Sequence, residues 1–145
     1  MSTINESLRN WIEAEQPEHA ILTGLALVTM GETDALDPPF LGIYETGSDM
    51  RETNGVVMLG VSDYQITCEL HTIPASEEEG GTSPEHERQM RTALYDIIGD
   101  RAAIQYMDQD EGWTVFDIRL AGPTTEASDG RRVTRWTLSI TACPT

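Results

Sequence analysis

At 145 residues and 16.1 kDa the chain is long enough for one domain with a real core, and residues 1–145 read as a single unit. Nine basic residues, all arginine, against 25 acidic ones give a net charge of −16, which argues against a surface that grips phosphate backbones. Two cysteines are too few for a disulfide framework, the polar opening MSTINESLRN lacks a signal-peptide pattern, and the longest apolar stretches fall well short of a membrane span.

A helix is expected first. Thr3 and Glu6 have capping-box spacing, Ile4, Leu8, Trp11 and Ile12 follow with helical periodicity, and Pro17 stops the helix near Glu15. Ile21 to Glu32 reads as a strand, its length and the interior Gly24 weighing against a buried helix. Pro38 and Pro39 mark a loop, and Phe40 to Glu45 a short strand. SDMRETNG reads as a polar connection ending in an Asn54-Gly55 turn. From Val56 to Ile73 the chain is extended, with Gly60 at a bulge or bend.

Within that stretch, ITCELHTIP sets a cysteine, a glutamate and a histidine within four residues. Strand alternation puts Tyr64, Ile66, Cys68 and Leu70 on an apolar face and Gln65, Thr67, Glu69 and His71 on a wet one. Cys68 and His71 therefore point opposite ways and cannot chelate one ion locally. Glu69 and His71 lie side by side as the best candidate acid/base pair, while a solvated strand face is the simpler reading. Cys68 and Cys143 would meet only if the last strand paired near the middle one.

PASEEEGGTSP is a loop. A helix then opens with Ser83 as N-cap and Pro84 at its first position, carries the stripe Met90, Ala93, Leu94, Ile97 and Ile98, and ends at Gly99. DRAAIQYM continues as a short helical piece. The last third is a hairpin. Thr114, Phe116, Ile118 and Leu120 share one face of its first strand, and Thr134, Trp136, Leu138, Ile140 and Ala142 share one face of its second. PTTEASDGR, with Asp129-Gly130, turns between them. The expected class is α+β: a mostly antiparallel mixed sheet of about four or five strands, two helices packed on one face, and long hairpin or loop extensions.

No GxSxG, P-loop, HExxH or CxxC pattern occurs, so neither an enzyme nor a cofactor or metal is expected. The acidity fits solubility, a halophilic host whose salt screens surface carboxylates, or a passage through which DNA slides without sticking. Met50, Arg51 and Trp113 lie beside turns, where an apolar side chain can anchor a neighbour. Arg131, Arg132 and Arg135 are the most basic cluster. They would pair with acids of a neighbouring subunit, or else be ordinary surface charge.

The element order, with the phrases LDPPFLGIYETG, GVSDYQITCELHTIP, ALYDIIGDRAA and VFDIRLAGPTTEASDGRRVTRWTLSITAC, resembles the tail-terminator proteins of long-tailed phages and viruses from Thr3 to Cys143. Neck and head–tail joining proteins are similar at this level. The resemblance implies a virion structural protein, made in the host cytoplasm, that forms a homo-oligomeric, usually hexameric, ring. Its implied partners are the tail tube protein and the head–tail connector or neck proteins, with DNA passing through the lumen and no membrane. Six copies would carry −96 formally, which would keep the bore slippery. Glu77, Glu78 and Glu79 would then line the lumen or dock a partner, against the plainer reading of a solvated loop tip. From another class, a small acidic DNA mimic that binds a basic protein fits the same composition.

Overall fold

Thr3 starts the first helix as its sequence requires. In α1 (Ile4–Glu15) the Thr3 hydroxyl accepts from the Glu6 N–H at 3.3 Å, and the Glu6 carboxylate accepts from the Thr3 N–H at 3.1 Å. The computed structural model describes residues 3–29, 38–53, 56–73, 82–110, 112–128 and 130–144. Strands β1 (Ala26–Val28), β2 (Phe40–Thr53), β3 (Val56–Thr72), β4 (Trp113–Ser128) and β5 (Arg131–Pro144) form one sheet in the order β1-β2-β3-β5-β4. β1 runs parallel to β2, and the other neighbours are antiparallel. With α2 (Pro84–Ile98) and α3 (Ala102–Asp110) the fold is α+β.

One sheet face carries the core. Leu41 and Ile43, Ile66, Cys68 and Leu70, and Trp136, Leu138, Ile140 and Ala142 are buried there against Leu8, Trp11 and Ile12 of α1 and Met90, Leu94, Ile97 and Ile98 of α2. Hydrogen bonds fix the layers at points where burial alone would let them slide. The Trp11 indole donates to the Ile97 carbonyl at 3.0 Å, and the Asn5 amide donates to Thr29 and Ile43 carbonyls at 3.1 and 3.3 Å.

The sheet departs from expectation in three places, each with a local cause. Only Ala26–Val28 of the expected Ile21–Glu32 strand pairs, because Ala20–Leu22 turn as a 3-10 helix and Gly24 takes a positive φ of 81°. Residues 30–32 lie outside the described residues. β2 runs on through Ser48 and Asp49 to Thr53, since β3 opposite satisfies its backbone whatever the side-chain polarity. Asn54 and Gly55 lie outside the described residues, but Thr53 pairs with Val56. Pro123 to Ser128, expected in a connection, belong to β4, and Asp129 lies outside the described residues. The short helical piece expected at DRAAIQYM is α3, which joins α1 and α2. Gly99 ends α2, and the Asp100 carboxylate accepts from the Ala102 N–H at 2.9 Å to start α3.

β4 is an edge strand with register shifts at Phe116 and at Gly122–Pro123. The first shift overturns the expected Thr114-Phe116-Ile118-Leu120 face. Trp113 and Val115 are buried, Ile118 and Leu120 pack against the core, and Phe116 is 55% exposed. Gly60 meets the bulge expectation, with φ 81° inside the irregular stretch between Met50–Ser62 and Glu52–Val57.

Candidate functional site

The helix-free face of the sheet carries a polar ladder between β3 and β5. Asp63 faces Thr141, Gln65 faces Ser139, Thr67 faces Thr137, and Glu69 faces Arg135. Gln65 donates to the Ser139 hydroxyl at 3.2 Å, and the Thr141 hydroxyl donates to Asp63. Arg135 bridges two carboxylates, reaching Glu126 at 2.8 Å through Nη1 and Glu69 through Nε. Its bonds to Glu126 and then Glu69 raise its already high pKa, so the guanidinium is a fixed charge.

Glu69 and His71 share this face as the alternation requires, but the face is not wet at His71. The imidazole is 5% exposed and stacks on Phe40 with ring centroids 4.5 Å apart. Neither ring nitrogen has a hydrogen-bond partner among the described residues, and Nε2 stands 3.7 Å from Glu69 Oε1. Burial lowers the His71 pKa below 6.5, against the opposing pull of Glu69. The geometry therefore offers a buried neutral imidazole beside a carboxylate already bonded to arginine, an arrangement suited to holding strands together.

A pH dependence follows from that burial. The unfolded chain binds the His71 proton more readily than the folded one. Stability from this site is thus complete above about pH 6.5 and declines as the pH falls from there toward the lower folded value. His71→Phe keeps an aromatic ring on Phe40 and removes the proton. Denaturant melts at pH 7.5 and about pH 5.5 should show a smaller acid loss for the variant than for the wild type. Parallel losses in the two proteins would remove His71 from the account.

The arginine cluster is divided between the two faces. Arg135 belongs to the ladder, whereas Arg132 reaches Glu87 on α2 at 3.2 and 3.3 Å. Glu87 is 1% exposed and also accepts from the Thr72 hydroxyl at 3.2 Å and from Arg91 at 3.4 Å. Arg131 is half-buried near the start of β5. Arg132 and Arg135 are thus bonded to acids of their own chain. Glu87 was missed because a glutamate in a helix's first turn reads as a solvated dipole partner; its spacing of three from Met90, on the apolar stripe, was the available signal.

Trp113 is a correction: it lies in the core, edge-on to Tyr64 at 5.5 Å, and presents no surface anchor. Met50 and Arg51 have backbone positions in β2, while their side chains and the whole of Glu77, Glu78 and Glu79 lie outside the described residues. Burial pushes the Cys68 thiol up to about 12, so it is an inert core group. Its partner on β5 is Trp136, seven positions from Cys143, roughly 23 Å along a strand. Both cysteines are free. Among the described residues no three His, Cys, Asp or Glu side chains gather in a set able to hold a metal ion, and no helix is long and apolar enough to cross a membrane.

The pairing narrows at one end of the sheet. β5 leaves β3 at Ser62–Ala142 and β1 leaves β2 at Gly42, so among the described residues Met50–Thr53 and Val56–Val61 pair only with each other, as a two-stranded arm. It projects by about 15 Å at the usual rise of a strand. Its sequence includes Met50 and the run Val56, Val57, Met58, Leu59. Isolated two-stranded hairpins are marginal in water. No protein-family model matches the chain, and no curated protein matches it in sequence.

Proposed function

We propose that the chain is a virion structural protein, a tail terminator that assembles into a ring, hexameric by resemblance, on the end of the tail tube. The observation that carries this reading is the β2–β3 arm, a two-stranded extension with an apolar sequence that pairs with no third strand among the described residues. The ring would meet the tail tube protein on one side and the head–tail connector or neck proteins on the other. Its net acidity would let DNA slide through without adhesion, and a neutral or positive bore in an image of the particle would remove that part of the reading.

Deletion of the gene in the parent virus tests the role. Overlong tails are the expected result, because nothing would cap the growing tube. Tails of normal length detached from heads would instead assign the chain to the head–tail connector. A stable monomer that sequesters a basic protein would make it an acidic DNA mimic.

A further inference from the structure

Burial without a partner makes His71 more than a strut between strands. A buried imidazole ordinarily finds a hydrogen bond for at least one nitrogen, yet among the described residues both nitrogens of His71 go without. Nε2 faces Glu69 Oε1 across 3.7 Å, roughly 0.8 Å beyond an ordinary N–H···O length. Glu69 is equally ready. Its Oε2 accepts from Arg135, while Oε1 has no hydrogen bond among the described residues.

We propose that Glu69 and His71 form a proton-operated latch: one proton taken from water by His71 closes the 3.7 Å gap into a charge-assisted hydrogen bond from Nε2–H to Glu69 Oε1. No other bond has to break, because Arg135 keeps Oε2. The charges around the site favour that closure. Glu69, Arg135 and Glu126 are two carboxylates sharing one guanidinium, so an imidazolium completes an alternating row of four charges across β3, β5 and β4. Phe40 suits both states, since its face stacks on the neutral ring at an interplanar angle of 12° and attracts the charged one.

The groups facing His71 set when the latch closes. From β2 come the Phe40 ring and the Tyr44 hydroxyl, which lies over Gly42 opposite Glu69. Glu69 lies on β3 itself, Arg131 and Arg135 act from β5, and Glu126 of β4 acts through Arg135. Burial opposes the proton most, Glu69 draws it in, and the two arginines repel it. The latch is therefore open at neutral pH and closes below pH 6.5. By raising the folded-state proton affinity back toward that of the unfolded chain, Glu69 also limits how much stability acid can remove at this site.

Imidazole nuclear magnetic resonance across pH tests the latch. The chain has three histidines, and the His71 signals are those missing from His71→Phe. Wild-type His71 should titrate below pH 6.5, and past that midpoint its Nε2–H proton should exchange slowly with water and lie downfield, as a hydrogen-bonded proton does. Glu69→Gln, which keeps the shape but not the charge, should lower the midpoint by about one pH unit, a tenfold loss of proton affinity, and abolish the slow Nε2–H signal. Arg135→Gln should raise the midpoint, because a cation opposing the proton is gone, and it decides alone if Glu69→Gln does not fold. An unchanged midpoint in either folded variant overturns the latch. So does a wild-type Nε2–H that exchanges freely, or a His71 that stays neutral until the chain unfolds.

Discussion

Glu87→Ala is expected to lower the unfolding free energy by about 3 kcal/mol, enough to threaten a domain of this size. The carboxylate is the single acid joining Thr72 of β3, Arg132 of β5 and Arg91 of its own helix. Removing it strands two guanidinium groups that were brought out of water to meet it. Arg132 and Arg91 keep 35% and 29% of their side chains exposed, which places the loss at the lower end of the range of about 3–5 kcal/mol for breaking a buried pair. Glu87→Gln, which keeps the shape but not the charge, should fall between alanine and wild type. The double variant Glu87→Met/Arg132→Met should recover much of the loss, since apolar replacement of both partners is often neutral. Urea melts at pH 7 measure all four proteins, and a loss below about 1 kcal/mol for alanine would reduce the cluster to ordinary surface charge.

Trp136→Ala should be at least as damaging, at about 4 kcal/mol. Trp136 heads the fully buried side chains by volume and sits on β5 opposite Cys68, near the centre of the sheet. Its indole N–H has no hydrogen-bond partner among the described residues. Trp136→Phe should therefore cost mainly the cavity that the smaller ring leaves, without a lost hydrogen bond. Trp11→Phe provides the contrast, because Trp11 donates to the Ile97 carbonyl at 3.0 Å and would lose that bond. Thermal melts that rank Trp136→Ala as milder than Trp11→Phe would contradict this picture of the core.

The parts of the fold legible in sequence are those where one local rule dominates. Thr3 and Glu6, Ser83 and Pro84, and the stripes of α1 and α2 were readable because caps and helical periodicity are short-range. The Ile66–Leu70 alternation was readable because β3 is uninterrupted there. What escaped depends on partners distant in sequence. A bulge at Phe116 turned Trp113 and Val115 inward, and no local pattern announces a bulge whose cause is the register with β5. Ser48 and Asp49 look like loop residues until β3 supplies their pairing. The candidate site was legible in part: Glu69 and His71 share a face as the alternation requires, whereas Arg135, grouped in the sequence with Arg131 and Arg132, meets Glu69 through the β3–β5 register. The burial of His71 involves Phe40, and Glu87 meets Thr72 and Arg132, partners that lie far from them in the chain.

The interruptions along β4 also bear on how the chain avoids unwanted association through its sheet edge. An exposed edge of sixteen residues would template uncontrolled strand addition, the first step toward fibres. Between the shifts at Phe116 and Gly122–Pro123, the unbroken run is only Asp117 to Ala121, and it carries a charge at Asp117 and another at Arg119. Cross-β stacking wants roughly six or seven uncharged residues in register. The kinks thus act as gatekeepers against amyloid-like growth in a chain whose edge is otherwise long enough to invite it.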